Sequence, residues 1–238
     1  DSVPTNDGSV AVSIDAAGKA HVAYGYTRSG LDATGASVYR PGDIGLIYWN
    51  ENTQTEISIP INLTAVDEDM SGVYELGSLL TDNTAERYGN NAVLNKPSIG
   101  FDAAGNIYIL FSLPHDNDLT PDDQSFRHIW GVASFDGGAT WTEAMDMTPG
   151  IFGEEHSFPV LAKNVDNFLH IIYQMDGEPG TALTNGDADG LNQIMYMKVD
   201  KNMFAVGIKE QNKASFVVGQ NYPNPFNGTT NFSVGLAK

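Results

Sequence analysis

Carboxylates at alternate positions around a glycine turn are the side chains of this 238-residue sequence best suited to chemistry. Asn185-Gly186-Asp187-Ala188-Asp189-Gly190 sets oxygen side chains at every second position, the arrangement a hard cation needs, and calcium is the expected ion at Asn185, Asp187 and Asp189. Tyr196 stands at the twelfth position of that loop, where a bidentate carboxylate would complete a helix–loop–helix calcium site. Backbone carbonyls or distant carboxylates must therefore close the shell. Asp116, Asp118, Asp122 and Asp123 form a second acidic stretch, and Asp67, Glu68 and Asp69 a third; both read as solvated loops. Glu154, Glu155 and His156 have the types of an acid/base group. His115, His128 and His156 are scattered along the chain without zinc spacing, whereas His21 and His170 hold equivalent places in an internal repeat and predict a shared packing role. A nucleophilic Gly-x-Ser-x-Gly elbow and a phosphate-cradling glycine loop are both missing.

The charge balance narrows the partners. With 12 Lys+Arg against 30 Asp+Glu the formal net charge is -18, which repels nucleic acid and anionic lipid and attracts cations. The sequence has no cysteine, so disulfides, thiolate metal sites and thiol catalysis are excluded. No apolar run reaches the roughly 20 residues that cross a bilayer as a helix, so membrane insertion is not expected. Asp1-Ser2-Val3-Pro4 lacks the basic and apolar regions of a leader peptide, so a leader is expected to have been removed or to lie upstream.

The elements that must position these groups repeat. Ser13-Ile14-Asp15-Ala16-Ala17-Gly18-Lys19-Ala20-His21-Val22-Ala23-Tyr24 recurs as Gly100-Phe101-Asp102-Ala103-Ala104-Gly105-Asn106-Ile107-Tyr108-Ile109-Leu110-Phe111, and more weakly across Pro159 to Tyr173 around Asp166. Each copy is an apolar strand, an Asp turn and a second apolar strand, a β-hairpin. Further strand-like pairs follow: Ile44 to Asn50 with Glu56 to Ile59, Ile129 to Ser134 with Thr140 to Glu143, and Ile194 to Val199 with Phe204 to Ile208. Strands in fours over about 50 residues predict an all-β, β-propeller-like array of four-stranded antiparallel blades, with blades near 10–60, 97–145 and 158–208. Asn62 to Lys96 and Leu113 to Ser125 are the expected insertions. About three blades do not close a ring, so the array is expected to be part of a larger propeller or to be completed by another copy.

Two motifs carry family resemblances. Ser134-Phe135-Asp136-Gly137-Gly138-Ala139-Thr140-Trp141 resembles the Asp-box of sialidase-like propellers, with Ser134, Asp136, Gly138, Thr140 and Trp141 at its defined positions. Asp136 can accept backbone N–H groups inside the turn, the glycines permit positive φ, and Trp141 can plug the space between sheets. The resemblance implies a structural device on the rim, away from the ligand face. Gln220-Asn221-Tyr222-Pro223-Asn224-Pro225-Phe226-Asn227-Gly228-Thr229-Thr230 resembles the opening of the sorting domain carried by type IX secretion cargo in Bacteroidota and their relatives. Asn221, Tyr222, Pro223, Asn224, Pro225, Phe226 and Asn227 are its defining run, and the resemblance implies export by that machinery to the cell surface or medium. The expected organisation is a propeller region over 1–210, then a linker and the N-terminal part of a β-sandwich sorting domain over 211–238.

These features predict a secreted or cell-surface module that binds a glycan, a surface polymer or a protein without chemistry of its own. A sialidase-like glycoside hydrolase is the competing class. The resemblance would then require an arginine triad, a Tyr/Glu pair and an acid/base Asp. Arg28, Arg40, Arg87 and Arg127 are the sequence's arginines, and Arg28 and Arg127 read as solvated loop cations. A structural subunit of an extracellular assembly, with sheet edges completed by neighbouring chains, is the third class.

Overall fold

In a computed structural model of the chain, residues 2–31, 37–40, 45–62, 93–180, 190–208, 216–218 and 234–236 are described. Among these residues the architecture is all-β, in four sheets. The first sheet contains β1 (Ser2–Ile14), β2 (Ala20–Leu31), β3 (Ser37–Arg40), β4 (Leu46–Asn50) and β5 (Glu56–Ile59), ordered β1-β2-β4-β5 with β3 also paired to β2. The second is built from β6 (Asn95–Asp102), β7 (Ile107–Leu119), β8 (Ser125–Ser134) and β9 (Met145–Asp146). The third sheet runs β10 (Glu155–Leu161), β12 (Phe168–Asp176), β13 (Gln193–Asp200), while the short β11 (Asn164–Val165) crosses to pair in parallel with β6.

All the long pairings are antiparallel, and local turn chemistry explains them. Gly18 and Gly105 take positive φ, and their N–H groups donate to the carbonyls of Asp15 and Asp102. The carboxylates of those two aspartates accept from the N–H of Lys19 (2.7 Å) and Asn106 (3.0 Å), so each turn is closed by both main chain and side chain. His21 and His170 use the same kinds of partner: Nδ1 meets the Tyr48 hydroxyl at 2.6 Å in one and the Tyr196 hydroxyl at 2.7 Å in the other. Their Nε2 atoms lie 3.3 Å from Asp15 and 3.4 Å from Asp166.

The second sheet is the middle layer. Side chains alternate along a strand, so a strand covered on both faces reads as a continuous apolar run. On β7, Ile107, Ile109, Phe111 and Leu113 enter one core with Ala23, Leu46, Tyr48 and Ile59 of the first sheet. Tyr108 and Leu110 enter a second core with Leu161, Leu169, Ile171 and Tyr173 of the third. Among the described residues, the outer faces of the flanking sheets are not covered in this way. Val10, Val12 and Ile14 on β1, and Val160, Ile172 and Tyr196 in register across the third sheet, are exposed.

The sheets depart from the expected strand pattern at several places. Phe204 to Ile208 is not a strand: Lys201–Ile208 is a 3-10 helix, and the third sheet has three strands. The Asp200 carboxylate accepts from Asn202 N–H at 2.9 Å and turns the chain, and Phe204 buries its ring beside Gly131 and Tyr108. Thr140 to Glu143 is not a strand either. Only Thr142 N–H bonds back to Ala133, and the edge strand is the two-residue β9. Leu113 to Ser125 is not a looped insertion but the outer half of the β7–β8 hairpin, folded about a turn in which Thr120 N–H bonds the Gln124 carbonyl and Asp123 N–H bonds the Thr120 carbonyl. The Asn62 to Lys96 insertion lies mostly outside the described residues, as do Asn185, Asp187, Asp189 and the run Asn221 to Asn227.

The described chain divides into two compact units, Asp1–Phe204 and Ala205–Lys238. In the second unit, β14 (Phe216–Val218) and β15 (Val234–Leu236) pair antiparallel, Phe216 opposite Leu236 and Val218 opposite Val234.

Candidate functional site

The register of β7 and β8 decides what meets at each end of the middle sheet. Ile107 pairs with Ser134 at one end and Pro114 with Arg127 at the other, so the turn after β8 and the residues around His128 are about 20 Å apart. At the first end, Asp136 Oδ1 accepts from the Ser134 hydroxyl at 2.9 Å and from Thr140 N–H at 2.9 Å, and Oδ2 accepts from the Thr140 hydroxyl at 2.6 Å. Thr140's side-chain and backbone donors hold the Asp136 carboxyl below its ordinary value. Gly138 donates its N–H to Ser134 Oγ at 2.8 Å, and its carbonyl accepts from the Trp141 indole at 3.2 Å. Trp141 then meets Tyr48 of the first sheet edge-on, with ring centroids 5.0 Å apart. This end stitches two sheets together.

The same turn-bearing end carries a cleft of about 270 Å³ lined by Asp15, Asp102 and Lys163. Burial alone would raise the Asp102 carboxyl, but hydrogen bonds from Lys201 (2.9 Å) and Asn106 pull it below the usual range. Its charge is thus already balanced by a lysine within the chain.

The opposite end gathers buried histidines and carboxylates. His115 near the end of β7, His128 near the start of β8 and His156 near the start of β10 converge: His115 and His128 rings lie 4.2 Å apart and His128 and His156 rings 5.5 Å. The histidines therefore cluster, contrary to their scatter along the chain. Asp116 and Asp118 are buried with them because they belong to β7, not to a solvated loop. Arg127 is also not a solvated cation. Its side chain is 0% exposed and its Nη1 donates to Glu155 Oε1 at 3.1 Å, while its backbone N–H donates to Glu155 Oε2 at 2.6 Å. Glu155 is thereby committed to Arg127, and Glu154 is the neighbour that reaches His156, at 3.4 Å from Nε2. Burial, reinforced by the nearby His128, keeps the His156 imidazole neutral to lower pH than usual, against the pull of Glu154.

The backbone at this end is bent to aim these groups. Register shifts fall at Asn95/Ser98 in β6, Pro114/Leu119 in β7 and Ser157/Val160 in β10. Lys96, Asn117 and Phe158 inside them take φ of 53°, 50° and 54°, the left-handed region that non-glycine residues avoid. Bulges re-aim side chains, and strained residues collect where function over-determines the backbone.

No protein-family model matches the sequence, and no curated protein does. Among solved structures, Hadza microbial sialidase Hz136 is similar to the chain at 13% identity and TM-score 0.41, over 82% of this chain and 36% of that one. The chain thus spans about a third of that protein's length, and a likeness at this level bears on neither activity nor ligand.

Proposed function

We propose that the chain is a propeller-like binding module of a secreted or cell-surface protein, with a glycan, surface polymer or protein as ligand. The observation that carries the reading is the polarity of the stack: the Ser134–Trp141 turn, an Asp-box by sequence, closes one end, and a bulged cluster of buried histidines and acids occupies the other. The exposed apolar outer faces of the first and third sheets favour further blades beside them, from a longer chain or from a second copy. Export through the type IX machinery rests on Asn221 to Asn227, and calcium at Asn185, Asp187 and Asp189 rests on the loop pattern; both are proposals from sequence. Against an enzyme of the sialidase class, Arg127 is already spent on Glu155 inside the fold. A glycan array probed with the purified chain, beside a fluorogenic sialoside assay and light scattering, separates the classes. Saturable binding to one glycan or polymer class without turnover supports the module. Sialoside turnover replaces it with an enzyme, and closed oligomers that bind nothing replace it with a structural subunit.

A further inference from the structure

The histidine end of the sheet stack has the make-up of a metal centre. One ligand-type atom each from His115, His128 and Asp146 lie within 4.8 Å of one another. We propose that these residues bind a divalent first-row transition ion of the zinc class, a site that stands independently of the binding-module reading and of the calcium loop.

The tautomer of His115 and the orientation of Asp146 are those of metal ligands. His115 Nδ1 lies 2.9 Å from the Asp116 carbonyl, which accepts only, so Nδ1 carries the proton and the lone pair sits on Nε2. That Nε2 is 3.9 Å from Asp146 Oδ2. Asp146 is held in turn by its other oxygen, Oδ1, which accepts from Thr148 N–H at 2.7 Å and the Thr148 hydroxyl at 3.2 Å. A histidine donating its far nitrogen to a carbonyl and a carboxylate anchored by its far oxygen are the supporting shell that orients metal ligands. His128 Nδ1 reaches the same Oδ2 at 2.6 Å. Tetrahedral zinc with nitrogen and oxygen ligands separates them by about 3.3 Å. The observed 2.6 and 3.9 Å bracket that edge. An ion entering here replaces the proton shared by His128 and Asp146, which leaves to solvent, and evens the two distances.

The donors choose the ion. Two imidazoles and one carboxylate suit zinc, iron, cobalt or nickel and disfavour calcium and magnesium, which take oxygen ligands. The surroundings ask for a cation as well. His128 Nε2 is buried with no hydrogen bond and 3.8 Å from Asp118 Oδ2, and Nδ1 of the buried His156 makes no hydrogen bond. Buried polar atoms without partners are uncommon and need an ion or water to satisfy them. Phe152, which is 60% exposed, sits edge-on to His115 at 5.0 Å and is the side chain between His115 and solvent.

Cobalt(II) is the probe, because its visible ligand-field absorption reports a four- or five-coordinate nitrogen and oxygen shell. Metal-free full chain titrated with cobalt is expected to develop those bands at one ion per chain, and zinc to bleach them by competition. Asp146→Asn and His115→Gln abolish the bands, while His170→Gln, which alters a histidine outside the cluster, leaves them unchanged. Thr148→Val keeps every ligand and weakens cobalt binding about 10- to 100-fold. Circular dichroism checks each variant. Folded wild-type chain without ligand-field bands at saturating cobalt overturns the proposal, as do bands that survive in a folded Asp146→Asn. If that variant does not fold, unchanged affinity in Thr148→Val overturns it instead.

Discussion

Removing the charge of Arg127 is the most severe single change the fold predicts. Arg127 is 0% exposed and Glu155 1%, with Nη1 and Oε1 3.1 Å apart. At that distance and an effective dielectric constant near 20, Coulomb's law gives about 5 kcal/mol of attraction, much of which offsets the cost of taking both ions out of water. Arg127→Met removes the guanidinium from the Glu155 carboxylate and leaves it the Arg127 backbone N–H, and breaking a buried pair from one side costs about 3–5 kcal/mol. For a unit spanning Asp1–Phe204 that lowers Tm by roughly 6–20 °C. Glu155→Gln strands the guanidinium and is expected to cost a similar amount. The double variant Arg127→Met/Glu155→Gln leaves no buried charge at either position, because a neutral amide can still accept the 2.6 Å backbone bond, and should be milder than the two singles added, with a coupling of about 2–3 kcal/mol. Urea unfolding of the four proteins supplies the cycle. Singles that each cost less than about 1 kcal/mol, or effects that simply add, would refute the buried pair.

Gly138 offers a controlled comparison with its neighbour. Gly138 has φ of 94° and a Cβ there would strike the Tyr48 ring, whereas Gly137 has φ of 76° with open space around it. Gly138→Ala should cost about 2–4 kcal/mol, from backbone strain plus overpacking, and Gly137→Ala about 1–2 kcal/mol from strain alone; chemical denaturation measures both, and equal costs contradict the inter-sheet contact. His156 makes stability depend on pH. Its folded value lies below the unfolded one near 6.5, so the unfolded state binds the extra proton first. The stability contributed by neutral His156 is complete above about pH 6.5 and is lost as pH falls from there through the folded value. Tm is therefore expected to drop as pH falls below about 6.5, less steeply in His156→Gln, and parallel pH profiles would contradict the buried neutral ring.

The sequence made the all-β class and the hairpins legible because their signals are local. Alternation, an aspartate and a glycine suffice to specify the turns at Asp15–Gly18 and Asp102–Gly105. Phe204 to Ile208 misled for the same reason. A short apolar run reads equally as strand or as a tight helix, and the deciding contacts, Asn202 on Asp200 and Phe204 over Gly131, come from the turn and from another sheet. The histidine cluster is a register effect. His115 and His128 stand at nearly equal distances from the Thr120–Gln124 turn, so reading 107–134 as one long hairpin about Pro121-Asp122 would have set them side by side. The acids in that stretch resembled a solvated loop, and that appearance hid the hairpin. Asp146 and His156 come from outside it, and only the packing of β10 against β7 and β8 brings His156 in.

The convergence of β7, β8 and β10 on one buried histidine cluster is what the candidate site and the proposed metal centre depend on, and proton NMR tests it directly. With ring centroids 4.2 Å apart for His115 and His128 and 5.5 Å for His128 and His156, nuclear Overhauser contacts should link the three imidazoles in a continuous chain. Imidazole signals without mutual contacts would contradict the arrangement.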